Sequence, residues 1–139
     1  MIKVKKELNR SNTAVYNVGY HLIWCPKYRK EVLVGRLRKR LAELLNERAL
    51  QMGVSIVELE IMPDHIHLFI KSNPRIAPNT VVKHLKGYSS RVLRLEFSKQ
   101  LSRMPVLWTR SYYCESVGHI SEDTIRKYIA SQGKSERPK

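Results

Sequence analysis

Acidic residues are scarce in this chain. Against 26 lysines and arginines stand only 12 aspartates and glutamates, a formal net charge of +14. So large an excess says little about fold but favours a polyanionic partner over an acidic-seeking or cationic one. Long apolar runs are also missing. No stretch approaches the ~18 residues of a membrane span, and the opening MIKVKKELNR is charged where a signal peptide carries its apolar core. These absences argue against a membrane span and a secretory signal and leave the cytoplasm as the expected compartment, with nucleic acid favoured over a membrane surface as the polyanion. Cysteine is nearly absent: Cys25 and Cys114 stand far apart in no metal or redox spacing, which points to reduced thiols rather than a disulfide framework. Internal repeats and low-complexity linkers are lacking too. A chain of 139 residues can bury one core and is short for two, so 1–139 reads as one domain, with 133–139 (GKSERPK) as a basic tail.

What is present is strongly patterned. Residues 14–24, AVYNVGYHLIW, alternate and are rich in β-formers, predicting a strand. CPKYRK follows as a basic loop with one aromatic. Leu37, Leu41, Leu44 and Leu45 lie at helical spacing within 36–51, with Gly53 placed to end that helix. Residues 54–61 predict a second strand, MPD a turn, and 65–71 a third strand in a hairpin with the second. Asn79 is suited to cap a second helix whose apolar positions Val81, Leu85, Tyr88, Val92 and Leu95 step by four and three. Gly87 inside it suggests a close approach or a bend. Residues 111–117 predict a fourth strand. After Gly118, Ser121 caps a short third helix with Glu122 and Asp123 in its first turn, and Gly133 ends it. The order β-α-β-β-α-β-α predicts an α+β fold: a ferredoxin-like split βαβ, an antiparallel sheet with helices on one face, plus an added C-terminal helix.

One strand carries an unusual pair. In IMPDHIHLFI (61–70), His65, His67 and Phe69 share one face while Ile66, Leu68 and Ile70 share the other. If the helices cover the isoleucine–leucine face, the histidines look out from the open side. Side chains two apart on one strand face are ~7 Å apart at the backbone, so both imidazoles can lean onto one ion. Two histidines bonded only to water fit the same pattern, and two ligands do not complete a site. In SEDTIRKYIASQ (121–132), Tyr128 and Gln132 are four apart and share a helix face. Gln132 offers a neutral oxygen as third ligand. Tyr128 would then stand one turn from the ion, where a phenolate can attack a metal-bound phosphate in line, with Arg126 or Lys127 near enough to lower its pKa. An aromatic packing beside Ile125 and Ile129 is the commoner role for such a tyrosine.

His65-Ile66-His67 within PDHIHL, followed downstream by YIASQ, resembles the HUH, single-tyrosine transposases of small insertion sequences that move as single-stranded DNA. YHLIWCPKYRK, LKGYSSRVLRLEF and LWTRSYYCESVG extend the resemblance over nearly the whole chain. The resemblance implies that Tyr128 attacks a phosphodiester of single-stranded DNA, leaving a 5′-phosphotyrosine and a free 3′-OH that later reverses the attack and joins strands. It implies His65, His67 and Gln132 as ligands of Mg²⁺ or Mn²⁺, although imidazole suits Mn²⁺ or Zn²⁺ better than Mg²⁺. It also implies subterminal DNA hairpins as ligand and a homodimer whose tyrosine helix can dock on the histidine pair of the other subunit.

For DNA contact the sequence offers Lys27, Tyr28, Arg29 and Lys30 in the basic loop and Lys83, Lys86 and Arg91 on the second helix: cations for phosphates, with Tyr28 able to stack on an unpaired base. Glu58 and Glu60 share a strand face that is expected to be solvated. His21 is expected to be structural, Asp64 a turn residue, and His84 and His119 have no evident partner. Two other classes remain from the residues alone: a non-catalytic single-strand or RNA-binding domain, which explains the charge but not the co-occurrence of His65, His67, Tyr128 and Gln132, and a metal-dependent nuclease that activates water.

Overall fold

Alternation in the sequence becomes two-faced strands, and the strands set everything else. The computed structural model describes residues 9–10, 15–117, 123, 126, 127, 129 and 130. A two-stranded ribbon pairs β1 (Asn9–Arg10) with β2 (Val15–Tyr16). The main sheet comprises β3 (Val18–Trp24), β4 (Ser55–Met62), β5 (His65–Ser72) and β6 (Tyr113–Ser116) in the order β4-β5-β3-β6. Every neighbouring pair is antiparallel. The helices are α1 (Gly35–Gln51) and α2 (Pro78–Glu96). The expected α+β architecture is therefore present, with the single strand foreseen over 14–24 divided at Asn17 into β2 and β3.

One sheet face and both helices form the core. Leu22 and Trp24 of β3 and Ile66, Leu68 and Ile70 of β5 pack with Leu37, Leu41, Leu44 and Leu45 of α1 and Val81, Val82, Leu85 and Leu93 of α2. The step of α2 places Leu93, not Leu95, inward, and Leu95 is exposed. The chain after α2, which carries no periodicity, adds Leu101, Met104, Leu107 and Trp108 to this core. Trp108 meets Trp24 edge-on, and its indole N–H donates to Ser89 Oγ.

Helix ends follow local chemistry. α1 stops at Met52, and Gly53 takes the left-handed conformation (φ 71°) that releases the chain into β4. Asn79 does not cap α2. Ala77 holds the cap position, Pro78 opens the helix because a missing N–H costs nothing there, and Asn79 Oδ1 instead accepts from Tyr112 Oη. Gly87 meets nothing within 4 Å of a built Cβ, so no close approach explains it. The helix expected after Gly118 is helical at residues 123, 126, 127, 129 and 130; its cap at Ser121 and its end at Gly133 lie outside the described residues.

Arg40 of α1 clamps the end of α2. Its Nε and Nη2 donate to Glu96 at 2.8 and 3.1 Å, and Nη1 reaches Glu43. Hydrogen bonding from Arg40 holds the Glu96 carboxyl below the usual glutamate range. A folded-state value below the unfolded one means that the pair stabilises above the unfolded value, ~4.3, and that this stabilisation is lost as pH falls through the lower folded value. Glu96→Gln should flatten the acid limb of thermal stability against pH by the same small amount that it lowers neutral stability, small because exposed pairs are screened. Identical acid slopes in melting curves of the two proteins would remove this pair from the acid response.

Candidate active site

The second sheet face gathers the polar residues. Across β3 and β5, His21 stands opposite Phe69 and Ile23 opposite His67. Across β4 and β5, Glu58 faces Phe69, Glu60 faces His67 and Met62 faces His65. On the far edge Glu115 of β6 faces His21. Directly paired residues share a face, so one surface carries His21, His65, His67 and three carboxylates.

That surface is less open than its parity suggests. Phe69, expected beside the histidines on the open side, is 1% exposed, and both histidines are half-buried. Gly19 makes the room: a Cβ there would come within 3.1 Å of the Phe69 ring. The His21 ring leans on Phe69, centroids 4.9 Å apart.

Each histidine of the pair has one ring nitrogen engaged. His65 Nδ1 lies 2.8 Å from Asp64 Oδ1, and Arg29 Nη2 donates to Asp64 Oδ2 at 2.7 Å. Hydrogen bonding to His65, with help from Arg29, lowers the Asp64 pKa. The ionised carboxylate can only accept, so a proton sits on His65 Nδ1, and in the neutral ring Nε2 is the nitrogen that keeps its lone pair. His67 Nε2 lies 3.0 Å from His21 Nδ1. Asp64 is a turn residue, as its sequence position predicts, and at a turn the alternation of a strand does not govern where a side chain points. His21, expected to be structural although its strand can approach the site, meets a partner 46 positions away. The only signal for either was a polar residue on or beside the strand that carries the pair.

Arg29 also ties this site to the basic loop. Lys27–Arg29 form one tight turn in which Tyr28 (φ 60°) and Arg29 (φ 52°) are left-handed, a conformation that non-glycine residues adopt at some cost. The loop is pinned from behind, where Lys27 N–H donates to Leu107 O and Thr109 N–H to Cys25 O. Tyr28 projects outward, 79% exposed, with Lys27 Nζ 5.4 Å from its ring centre. Lys30 is exposed beside it.

On α2, Lys83 and Arg91 border a groove with Arg48, His84 and Tyr88. Arg48 and Arg91 flank the Tyr88 ring, and Arg48 donates to His84, giving that histidine a partner. Lys86 differs from its neighbours. Its ammonium donates to Thr109 O at 2.5 Å and lies 3.5 Å from Ser111 O, and burial lowers its pKa. It fastens the approach to β6 rather than standing free for a phosphate.

Two imidazoles on one strand face suit a divalent ion of the Mn²⁺ type when both are deprotonated. Among the described residues, no group of three His, Cys, Asp or Glu is placed to hold a metal, so the pair needs a further donor. Tyr128, Gln132 and His119 lie outside the described residues. Of the described residues in that region, Lys127 pairs with Asp123 at 3.4 Å.

Fold and site together define a ferredoxin-like α+β domain with a basic loop and helix and a half-buried pair of histidines on the sheet face opposite α1 and α2. Residues 14–132 match the family described as IS200-like transposases. The chain is 37% identical over 132 residues to the ISDra2 transposase TnpA of Deinococcus radiodurans, covering 94% of each protein. It is 32% identical over 119 residues to the transposase of insertion sequence IS200 from Salmonella typhimurium, covering 84% of this chain and 78% of that one. Among solved structures, a candidate transposase of D. radiodurans superposes with a TM-score of 0.73 at 36% identity, covering 89% of this chain and 97% of the other. A REP-associated tyrosine transposase bound to a REP hairpin shares the fold at 10% identity, with a TM-score of 0.58 and coverage of 91% and 75%. The chain belongs to the IS200-like transposase family, and it is accordingly a transposase. Among the described residues no helix is long and apolar enough to cross a membrane.

Proposed function

We infer that this transposase cleaves and rejoins single-stranded DNA at insertion-sequence ends by way of a phosphotyrosine. The observation that carries the reading is the shared face of His65 and His67, with His65 Nδ1 anchored on Asp64. Two imidazoles of one face, one already oriented by a carboxylate, are what a divalent-ion site requires of its ligands. Tyr128 and Gln132 follow within the family match.

The Tyr128 phenol oxygen attacks the scissile phosphorus in line. A new O–P bond forms to tyrosine as the phenol gives up its proton, the P–O3′ bond breaks, and the leaving 3′ oxygen takes up a proton to become a hydroxyl, so no net proton is gained or lost. The 5′-phosphate stays esterified to Tyr128. A 3′-OH from another cleaved end then attacks the same phosphorus and expels the phenol, so no nucleotide cofactor is consumed. Mg²⁺ or Mn²⁺ held by His65, His67 and Gln132 would supply Lewis-acid polarisation of the phosphate. Asp64 keeps the proton on His65 Nδ1, Arg29 keeps Asp64 ionised, and Lys27, Arg29 and Lys30 offer cations to the strand while Tyr28 offers a stacking face. DNA bearing subterminal hairpins is the proposed ligand, and a homodimer with His65 and His67 of one subunit facing Tyr128 and Gln132 of the other is the proposed assembly.

The test is direct. Incubated with Mn²⁺ or Mg²⁺ and hairpin-bearing single-stranded DNA, the protein should yield a protein–DNA band that survives denaturing electrophoresis and disappears on protease treatment. Cleaved DNA with no attached protein would instead indicate a water-activating nuclease, and binding without cleavage a binding module. Mixing His65→Ala with Tyr128→Phe subunits should restore part of the activity, because each heterodimer then holds one intact shared site. No recovery despite demonstrated subunit exchange would place each site within one chain.

A further inference from the structure

The pair His65 and His67 is supported unequally. His65 leans on a carboxylate, the usual partner of a ligating imidazole. His67 leans on another imidazole, that of His21 on the neighbouring strand. The contact is well formed: the His21 Nδ1 to His67 Nε2 distance is 3.0 Å. The ring centroids are 5.2 Å apart and the planes differ by 27°. That separation is close to the N–N distance plus both ring radii, so the two nitrogens face each other head-on with the rings nearly coplanar. Two nitrogens bound side by side to one ion would converge at an angle and bring the centroids closer. The arrangement is thus a straight hydrogen bond carrying one proton.

The geometry points to His21 as a positioning residue that selects the metal-binding nitrogen of His67. A neutral imidazole has one N–H and one lone pair. If His67 donates through Nε2 to His21 Nδ1, its own Nδ1 keeps the lone pair and can hold an ion with the hydrogen bond intact. The reverse direction leaves the proton on His67 Nδ1 and no free lone pair. His21 thus does for His67 what Asp64 does for His65, and the two ligands present different nitrogens, Nδ1 of His67 and Nε2 of His65. The Phe69 ring, seated over Gly19, backs His21 in this position. No assigned role of His21 as a nucleophile or ligand is needed. This inference rests on the metal-site reading above, but its first readout needs no metal.

The proton can be located by long-range ¹H–¹⁵N correlation on metal-free, ¹⁵N-labelled protein at neutral pH. His67 is expected in the Nε2–H form, and His21→Ala should convert it to a mixture. Mn²⁺ alone, titrated calorimetrically, should then bind about 10- to 100-fold more weakly in His21→Ala, the range lost when such outer partners are removed. His21→Asn, whose amide oxygen can accept the same proton, should recover part of that loss. Thermal melts and amide spectra establish that each variant is folded, and His21→Phe serves if the alanine variant is not. A His67 protonated on Nδ1, or Mn²⁺ affinity unchanged in folded His21→Ala, overturns the assignment. So does an Mn²⁺ centre that shows a nitrogen coupling lost with His21, which would make His21 itself a ligand. Failure of the wild-type protein to bind Mn²⁺ would instead sink the metal site, while the tautomer still decides whether His21 orients His67.

Discussion

Replacing Tyr128 by phenylalanine should abolish covalent capture of DNA while leaving hairpin binding intact. The substitution removes one oxygen and keeps the ring, so packing and helix propensity change little. What disappears is the only atom proposed to bond to phosphorus. Cleavage and joining should both fall at least about a thousandfold, because removal of a covalent nucleophile leaves only the contribution of binding and electrostatics. Denaturing gels with end-labelled strands read the cleavage, and retardation of hairpin DNA reads the binding. Strand cleavage at the wild-type rate in Tyr128→Phe would falsify the phosphotyrosine route. Loss of binding together with cleavage would show that the tyrosine helix holds the DNA as well as cutting it.

Histidine 67 should be nearly as costly to remove. His67→Ala takes away one of two imidazoles proposed as ligands and leaves His21 without its hydrogen-bond partner. Cleavage in Mn²⁺ should drop by about a hundredfold or more, since metal polarisation and alignment of the phosphate contribute several kcal/mol to such reactions. Folding should survive. The main core lies on the opposite sheet face, around Leu22, Leu68 and Ile66, and His67 is only half-buried. Hairpin affinity should also survive, because the cations proposed to meet phosphate belong to the loop and to α2 rather than to this face. Titration with Mn²⁺ alone, followed by single-turnover cleavage, measures both effects. A folded His67→Ala that still cleaves at the wild-type rate would exclude this histidine from the site.

Much of this was legible in the chain because strands and helices announce themselves locally. Ile66, Leu68 and Ile70 lie inward as their alternation requires, and Gly53 ends its helix where only a left-handed residue fits comfortably. Local signals also misled. Asn79 has the chemistry of a cap, but Pro78 next to it is better pre-organised as the first helical residue, so the helix begins two positions earlier. The core residues Leu101, Met104, Leu107 and Trp108 sit in a segment with no period to read. The histidine pair could be found by its spacing, but its supports could not. His21 reaches His67 through sheet pairing, and Arg29 reaches Asp64 across 35 positions. Contacts of that kind depend on register and turn geometry, which single-residue patterns do not encode.

The strand β4 carries an irregularity with an electrical consequence. Ile56 pairs with Ile70 and Glu58 with Phe69, so Val57 is an extra residue bulged out of the ladder. A bulge shifts the phase of every following side chain. Here it turns Glu58 and Glu60 toward the histidines, while Leu59 and Ile61 go to the other side, where they line a cleft with α1. Glu115 joins the two carboxylates from the opposite edge. A chain with a formal charge of +14 thereby keeps a small negative enclave around its imidazoles. Such an enclave draws small cations and repels bare phosphate, while the surrounding positive field draws the nucleic-acid chain. Were Val57 instead paired with Phe69, in a regular ladder continuing from Ile56, both glutamates would turn out of the enclave with the protein's net charge unaltered.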